Sequence, residues 1–195
     1  MSSPSLSPDR IRTAVASHER RPAMNDGSGE TLLSAAVLIP IIQEDGELSV
    51  LLTLRTDTVE THKGQIAFPG GMVDDTDRDR VHTAVREAEE ELGIPPASVE
   101  ILGMLDDLTT PTGFCITPVV GLLSHLPVLR LSPGEVAEAF TVPLAFFADP
   151  AHATREIRTV RGAPREIWTY QYGTYVIWGA TGTIMHRFMA ILGAP

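Results

Sequence analysis

The strongest constraint on the fold of this chain is segment 86–94, which reads Arg-Glu-Ala-Glu-Glu-Glu-Leu-Gly-Ile. On an α-helix, with about 100° between successive residues, the side chains of Glu87, Glu90 and Glu91 share one face. The glycine in this segment and the Pro-Pro pair at 95–96 are typical of a helix end. An adjacent apolar face consists of Val81, Ala84, Val85, Ala88 and Leu92. The segment therefore predicts a half-buried amphipathic helix that packs against a sheet.

The clustered carboxylates of this helix predict a metal site. Three carboxylates on one side of a half-buried helix repel one another unless cations neutralise them. Hard divalent cations such as Mg²⁺ and Mn²⁺ prefer oxygen ligands of this kind. The alternative interpretation is a solvated helix face, since glutamate is a good helix former, and we adopt it for Glu89, which points elsewhere. The predicted metal ligands are Glu87, Glu90 and Glu91.

The rest of the chain combines short strands with one further helix. Turn residues such as Glu44-Asp45-Gly46 separate the apolar runs. Strands are predicted over residues 31–42, 48–54, 65–68, 99–105 and 114–123, a hairpin over 155–160 and 166–172, and a closing helix over 181–192. Many short strands around one long internal helix indicate a mixed α+β fold.

Size and composition indicate a single globular domain. The chain has 195 residues, of which 43% are apolar and 21% charged. Residues 1–30 are rich in Ser, Pro, Gly and Arg, so we expect an N-terminal arm that is helical over 9–17 but mostly flexible and loosely attached. The folded domain is then expected to span 31–195. The single Cys115 excludes an internal disulfide framework.

Apolar patterning and charge exclude two classes of partner. No apolar run is long enough for a membrane span, and the N-terminus lacks the layout of a secretory signal, so we expect a cytoplasmic protein without membrane contact. Residues 31–150 hold 19 acidic side chains against 6 Lys and Arg, whereas residues from 151 onward hold 5 Arg against 2 Glu. This acidic centre lacks the basic footprint that nucleic-acid binding needs. It suits solubility and the attraction of divalent cations.

The glutamate segment resembles the Nudix box, a family signature. That signature reads Gly, five residues, Glu, seven residues, then Arg-Glu-apolar-any-Glu-Glu-any-Gly-apolar, and residues 86–94 match its second half at every fixed position. In the first half, Asp77 stands six residues after Gly71 in place of the glutamate, and eight residues separate it from Arg86. The extra residue falls where a loop can absorb it. The metal-binding half is intact, and no role is carried over to Asp77.

The resemblance implies an α/β/α sandwich with a mixed sheet, and Mg²⁺- or Mn²⁺-dependent cleavage of a pyrophosphate. It adds a backbone carbonyl near Gly71 to the metal ligands. It also implies that Arg86 orients a catalytic glutamate by a charge-assisted hydrogen bond. The general base stays open between Glu90, Glu91 and a residue of the loop 106–113.

A second group of motifs resembles the coenzyme A pyrophosphatase branch of the family. These motifs are Leu-Leu-Thr-Leu-Arg-Thr at 51–56, Gly64, Phe-Pro-Gly-Gly at 68–71, Thr-Pro-Val-Val-Gly at 117–121 and Ile-Trp-Gly-Ala-Thr at 177–181. In that branch the box also carries Asp in place of the first Glu, with one extra residue. The resemblance covers about residue 31 to the C-terminus.

Five residues near these motifs are candidates for substrate binding: Arg55, His62, Lys63, Gly70 and Gly71. The cationic side chains suit phosphate oxygens, and the glycines allow the backbone to approach a ligand closely. At position 60, where the branch carries a second arginine, this chain has a glutamate, which reverses the charge. His62 and Lys63 could supply part of the missing positive charge.

The sequence thus predicts a Nudix pyrophosphohydrolase that acts on a small nucleotide. The favoured substrate is coenzyme A or an acyl derivative, split to 3′,5′-ADP and (acyl-)phosphopantetheine. The first alternative is ADP-ribose, NADH or another nucleoside diphosphate derivative, which Glu60 keeps open. The second is a non-catalytic Nudix-fold binding module. A homodimer would suit the size and fold, but no residue demonstrates one.

Overall fold

The computed structural model of the chain describes residues 6–23, 32–56, 64–160 and 162–194. Within these ranges, eleven strands and four helices form. The strands are β1 (Leu33–Glu44), β2 (Glu47–Arg55), β3 (Ile66–Ala67), β4 (Gly70–Met72), β5 (Glu100–Met104), β6 (Leu108–Thr109), β7 (Phe114–Leu123), β8 (Val136–Pro143), β9 (Ala153–Val160), β10 (Ala163–Tyr172) and β11 (Tyr175–Ile177). The helices are α1 (Pro8–Ser17), α2 (Arg80–Leu92), α3 (Leu144–Ala148) and α4 (Gly179–Ile191).

A mixed sheet of eight strands runs through the middle of the fold. Its strand order is β3-β2-β1-β7-β5, while β4 pairs with β1, β6 with β7 and β8 with β2. Strands β1 and β7 are parallel, with Leu33 level with Phe114 at one end and Ile42 level with Leu123 at the other. The remaining pairings are antiparallel. The mixed α+β fold class predicted from the sequence is confirmed, and β9–β11 add a small antiparallel sheet.

Alternate residues of the central strands face two separate hydrophobic cores, as the period of two in a strand requires. On one face, Leu38 and Val119 belong to the core that contains the buried side of α2. On the other face, Ile39 and Val120 belong to the core that contains residues of α1 and α4. Helices therefore cover both faces of the sheet, which is the predicted α/β/α sandwich.

Helix α2 is defined by local sequence signals at both ends. At its start, the side chain of Asp79 accepts a hydrogen bond of 2.8 Å from the backbone N–H of His82. At its end, Gly93 adopts the left-handed conformation with φ of 69° and donates to the carbonyls of the last turn. Ala84, Ala88 and Leu92 are fully buried, as their apolar spacing predicts. This packing fixes which side of α2 presents the glutamates.

The N-terminal segment is packed more firmly than expected. Helix α1 confirms the helix predicted over 9–17, but loose attachment is wrong for residues 6–23. Ile11 and Val15, one turn apart, are 0% and 3% exposed and belong to the core on the α4 side. Arg12 donates hydrogen bonds of 2.8 and 2.7 Å to the carboxylate of Glu100 at the start of β5. The predicted boundary between residues 30 and 31 lies outside the described residues.

Four strands, β4, β6, β8 and β11, were absent from the sequence prediction. Strand β4 forms where the sequence indicated only a loop into the helix, because its backbone pairs with Ala35, Ala36 and Val37 of β1. Strand β6 forms within the predicted loop 106–113 by pairing with β7. In the part of the chain that the structure covers, no helix has both the length and the apolar character needed to span a bilayer.

Candidate active site

Strand β4 lies directly against the acidic side of α2. A Cβ added to Gly71 would overlap the carboxylate of Glu87, so this side chain would have to move to make room for it. A Cβ on Gly70 would overlap the backbone of Ala36 and Val37. The Gly70-Gly71 pair therefore brings the β4 backbone within reach of the helix carboxylates, and its close approach to a ligand or metal stays a prediction.

Glu91 is a buried carboxylate with few hydrogen-bond donors. The residue is 3% exposed, and its Oε2 accepts a hydrogen bond of 3.3 Å from the backbone N–H of Gly70. Arg55 Nη1 lies 3.7 Å from its Oε1. Burial raises the pKa of Glu91 to about 8, against the lowering effect of Arg55, and repulsion from Glu87 and Glu135 adds to the rise. Arg55 thus compensates only part of the cost of burying this charge.

Glu87 and Glu90 are held by the same guanidinium group. Arg86 Nη1 lies 2.9 Å from Glu87 Oε1 and 3.1 Å from Glu90 Oε2. Burial raises the pKa of Glu87, and Arg86 opposes that rise. The side chain of Glu90 is 57% exposed and faces solvent beside Arg86. The predicted contact of Arg86 with a glutamate of the cluster is therefore present, and it involves both Glu87 and Glu90.

Asp77 anchors Arg86 from the other side, a role that sequence reasoning did not assign. Its buried carboxylate accepts two hydrogen bonds of 3.0 Å from Arg86, through Nε and Nη2. It also accepts from Thr83 Oγ1 at 2.9 Å and from the backbone N–H of Asp74 at 2.9 Å, and it contacts His82 Nδ1 at 2.8 Å. Arg86, followed by these donors, holds the pKa of Asp77 well below its usual range.

The loop before α2 explains how the Asp77 carboxylate reaches Arg86 despite the extra residue between them. Asp74 accepts hydrogen bonds from the backbone N–H of Thr76 at 2.8 Å and from its hydroxyl at 2.7 Å, which closes a tight turn. Asp77 N–H then donates to the carbonyl of Asp74 at 3.0 Å. The turn absorbs the additional residue and returns the Asp77 carboxylate to Arg86, whose Nη2 also reaches the carbonyl of Met72 at 3.2 Å.

The carboxylates of α2 fit a hard divalent cation by their chemistry. Burial raises the pKa of both Glu87 and Glu91. Repulsion from neighbouring carboxylates adds to the rise in each case. A divalent cation removes this penalty because it stabilises the ionised form of both groups. Within the described ranges, no three His, Cys, Asp or Glu side chains converge closely enough to form a ready-made metal site. The structure thus brings Glu87 to Gly71 and Glu91 to Gly70, whereas Glu90 contacts Arg86.

A fourth carboxylate, Glu135, approaches this site from outside the helix. It precedes β8 and raises the pKa of both Glu87 and Glu91 by repulsion. The segment that carries it is docked on the end of α2, because Ser132 N–H donates to the carbonyl of Glu91 at 2.9 Å. Thr56 N–H donates to the Glu135 carbonyl at 3.0 Å, which ties the same segment to the end of β2. No local sequence motif marks Glu135, since its position depends on this docking.

The predicted substrate-binding residues are only partly described. Arg55, Gly70 and Gly71 come together at Glu91 and Glu87. His62 and Lys63 lie outside the described residues, and so does Glu60. The Nε atom of Arg55 is buried without a hydrogen-bond partner. This donor is available to an acceptor that approaches the glutamate cluster.

A cavity of about 520 Å³ lies on the opposite side of the sheet from α2. Its apolar walls include Leu105, Pro118 and Ile184, and its cationic groups include Arg21 and Arg187. The glutamates of α2 do not line it. Pro118 is level with Val37 in β1, which is level with Gly70 in β4. Two strand spacings, or about 10 Å, therefore separate Pro118 from Gly70 within the sheet, and the cavity and the glutamates face opposite sides of it.

Comparison with known proteins assigns the family. The NUDIX domain family matches residues 32–161. The chain is 43% identical over 155 residues to the Nudix hydrolase NudL of Photorhabdus laumondii, covering 78% of this chain and 81% of that protein. It is 40% identical over 161 residues to the Nudix hydrolase NudL of Escherichia coli K12, covering 82% of each.

Among solved structures, the Ap4A hydrolase of C. elegans in a binary complex gives a TM-score of 0.50 at 21% identity, covering 57% of this chain and 80% of that one. This likeness concerns the fold alone. The family match, the two NudL relatives and the complete set of box residues from Arg86 to Ile94 agree with one another. The chain belongs to the Nudix domain family and is a Nudix hydrolase.

Proposed function

We propose that this enzyme hydrolyses the pyrophosphate bond of coenzyme A or acyl-coenzyme A, giving 3′,5′-ADP and (acyl-)phosphopantetheine. The observation that supports this substrate is the meeting of two motifs at one carboxylate. Arg55 and Gly70, which belong to the motif typical of the coenzyme A branch, both contact Glu91 of the Nudix box. The branch-specific residues are therefore part of the reaction site and not a separate surface.

The proposed cofactor is Mg²⁺ or Mn²⁺, since Nudix hydrolases generally use divalent cations. Glu87, Glu90, Glu91 and the backbone carbonyl of Gly71 would hold it. When bound, such a cation neutralises phosphoryl oxygens and makes a coordinated water more acidic. These ligands suit a divalent cation, because its positive charge offsets the cost of burying the carboxylates of Glu87 and Glu91.

The protein's own groups have separable tasks in this proposal. Arg86 fixes the orientation of Glu87 and Glu90, and Asp77 fixes Arg86. Arg55 presents a guanidinium with one unpaired buried N–H beside Glu91, which suits a phosphate oxygen of the substrate.

Among the candidates for the general base, we favour Glu90 and Glu91 over the carboxylates of the loop 106–113. In the loop 106–113, Asp106 accepts from the backbone N–H of Arg21 at 2.8 Å. Asp107 accepts from Arg20 at 2.7 Å and from the backbone N–H of Ala23 at 3.0 Å. Because these two carboxylates are occupied by the N-terminal segment, they are poorly placed to take a proton from water.

The alternative substrate class is ADP-ribose, NADH or another nucleoside diphosphate derivative. The glutamate at position 60, where the branch carries an arginine, favours this alternative because a carboxylate repels phosphate. The non-catalytic binding module is not retained, since the chain is a Nudix hydrolase with Glu87, Glu90 and Glu91 all present. Cytoplasmic location and a homodimer stay predictions from the sequence.

A substrate panel tests the proposal directly. Coenzyme A, acetyl-coenzyme A, ADP-ribose, NADH and a diadenosine polyphosphate are incubated with the enzyme and Mg²⁺ or Mn²⁺, and the products are separated by chromatography. We expect 3′,5′-ADP from coenzyme A or acetyl-coenzyme A, with a kcat/KM at least about tenfold above that for ADP-ribose, NADH and the diadenosine polyphosphate, as for one charged contact. A preference for ADP-ribose or NADH would overturn the substrate assignment while leaving the enzyme class intact.

A further inference from the structure

Two arginine side chains converge on one spot of the sheet near the start of α2. Arg80, the first residue of α2, donates a hydrogen bond of 2.7 Å from Nη2 to the hydroxyl of Ser34 in β1. Ser34 is level with Cys115 in the parallel neighbour β7. Level residues of parallel strands point to the same face, so Arg80 lies over Cys115 on the α2 side of the sheet.

Arg20 reaches the same spot from the N-terminal segment. Its Nη2 donates to Asp107 Oδ1 at 2.7 Å and lies 3.4 Å from the hydroxyl of Thr117. Thr117 is two residues from Cys115 in β7 and therefore shares its face. Burial and the Asp107 carboxylate raise the pKa of the Cys115 thiol, whereas both Arg80 and Arg20 act to lower it, which places the two guanidinium groups and Asp107 within electrostatic range of the thiol. We refer to Arg20 and Arg80 as the arginine pair.

Each member of the arginine pair has a buried N–H group without a hydrogen-bond partner. These groups are Arg20 Nε and Arg80 Nη1. A buried donor of a charged group that lacks an acceptor is energetically unfavourable until an acceptor reaches it. Asp107 is not available as that acceptor, because Arg20 Nη2, Thr117 and the N–H of Ala23 already bind its two oxygens. Two unpaired donors and an excess of positive charge match an anion with several acceptor oxygens, such as a phosphate.

The arginine pair lies at a suitable distance from the glutamate cluster. Arg80 and Glu87 are seven residues apart on α2, so they lie on nearly the same helix face and about 10 Å apart along the axis. The sheet gives a comparable separation of about 7 Å along β1, since Ser34 is two residues from Ala36, which is level with Gly71. A ligand whose pyrophosphate lies at Glu87 and Glu91 can therefore present a second phosphate, carried on its ribose, to the arginine pair.

We propose that Arg20 and Arg80 bind a second phosphate of the substrate, the 3′-phosphate of coenzyme A, and thereby determine substrate specificity. This inference rests on the proposed coenzyme A activity. It distinguishes coenzyme A from ADP-ribose, NADH and diadenosine polyphosphates, which carry no phosphate ester at that position. It also gives the N-terminal segment a role in the site, because Arg20 belongs to it.

The test compares coenzyme A with dephospho-coenzyme A, which differs only in the missing 3′-phosphate. The quantity measured is the ratio of the two kcat/KM values for wild type, Arg80→Gln and Arg20→Lys. Gln at 80 can keep the contact with Ser34, and Lys at 20 keeps the charge beside Asp107 but removes the Nε donor. Arg78→Gln is the matched control, because Arg78 is exposed two residues earlier and its loss changes the net charge equally.

We expect wild type to prefer coenzyme A by about 10- to 100-fold, the range of charge-assisted hydrogen bonds. Arg80→Gln and Arg20→Lys should bring this ratio within about threefold of unity, whereas Arg78→Gln should leave it at the wild-type value. Equal losses on both substrates in the two pair variants would mean that the arginine pair has only a structural role. The same conclusion would follow if Arg78→Gln reduced the ratio as much as Arg80→Gln.

A binding measurement without catalysis separates this inference from the activity itself. Calorimetry with adenosine 3′,5′-bisphosphate and with AMP, in EDTA, reports the contribution of the 3′-phosphate alone. We expect wild type to bind the bisphosphate about tenfold or more tightly than AMP, and Arg80→Gln to remove most of that difference. If wild type bound the two equally, the inference would be overturned even with coenzyme A as substrate. If coenzyme A were not cleaved, only the proposed function would fail.

Discussion

Asp77 and Glu91 are two buried carboxylates of one site whose surroundings differ in kind. Asp77 receives two hydrogen bonds from Arg86 and others from a threonine hydroxyl, a histidine and a backbone N–H. Glu91 receives one long hydrogen bond from Gly70 and lies 3.7 Å from Arg55. Consequently the pKa of Asp77 lies well below its usual range, whereas that of Glu91 is raised to about 8.

This difference separates a structural carboxylate from one that is ready for a ligand. A fully paired charge such as Asp77 stabilises the fold and has no capacity left for a cation or a substrate. A buried charge with few partners destabilises the fold until something neutralises it. Buried groups of the second kind are the usual candidates for function. The predictions below test whether Asp77 and Glu91 differ in this way.

The largest expected effect is the loss of activity in Glu91→Gln. Removing the carboxylate should lower kcat by about 10²- to 10⁴-fold, the range for groups that act directly on the reaction. The melting temperature in EDTA should stay equal or rise, because glutamine is neutral without the proton that the buried Glu91 carboxyl group must take up. Steady-state kinetics and thermal unfolding measure both. Glu89→Gln, at an exposed position of the same helix, should change neither, and unchanged turnover in Glu91→Gln would rule out the assignment of this residue.

The second largest effect is a loss of stability at Asp77, in contrast to Glu91→Gln, for which we expect a loss of activity without a loss of stability. Asp77→Ala should lower the free energy of unfolding by about 3 kcal/mol, because Arg86 loses its buried partner. We place it at the lower end of the range for broken buried pairs, since the Arg86 side chain is 22% exposed. Urea unfolding measures the change, with Asp75→Ala at an exposed position of the same loop as the control. A loss below about 1 kcal/mol would show that Asp77 is not an anchor.

The parts of the molecule that sequence predicted correctly are those with local signals. Helix α2 ends where Gly93 and the prolines predict, and its apolar spacing fixes which side is buried. The resemblance of segment 86–94 likewise predicted a contact between Arg86 and a glutamate, without specifying which, and Arg86 lies against both Glu87 and Glu90. Residues whose roles follow from spacing along one helix can be predicted without knowledge of the rest of the chain.

The parts that sequence missed depend on contacts between distant segments. Strand β4 has only three residues, two of them glycine, and exists because β1 offers an edge to pair with. Asp77 reaches Arg86 only through a turn that absorbs an extra residue. Glu135 and the docking of Ile11 likewise arise from tertiary packing. Neither periodicity nor a motif encodes such contacts.

A third prediction tests the geometry that brings Glu87 into the site. Gly71→Ala places a methyl group where the Glu87 carboxylate lies, so that side chain must move. A displacement of about 1 Å in a catalytic group can lower kcat by up to about 10²-fold, and we expect a loss between tenfold and that limit. Gly134→Ala is the control, because an added Cβ there meets open space. Wild-type kinetics in Gly71→Ala would show that the contact between β4 and Glu87 has no part in the reaction.

The smallest effect is a difference in the pH dependence of stability, measured in EDTA. The folded protein keeps the Glu91 proton up to a pKa of about 8, whereas the unfolded chain releases it near 4.5. The contribution of Glu91 is therefore full below about pH 4.5 and is lost as the pH rises towards 8, by about 1.4 kcal/mol per pH unit at most. Asp77 has the opposite sign, because its lowered pKa contributes stability that is present above about pH 4 and lost in acid.

Urea unfolding of wild type, Glu91→Gln and Asp77→Ala between pH 3 and 8.5 measures this difference as free energies of unfolding. Relative to wild type, the free energy of Glu91→Gln should increase as the pH rises, and that of Asp77→Ala should approach the wild-type value as the pH falls. Saturating Mg²⁺ should abolish the first trend and leave the second unchanged, since a cation replaces the proton only where the carboxylate lacks other partners. Parallel curves for all three proteins would mean that the two carboxylates do not differ as their surroundings indicate.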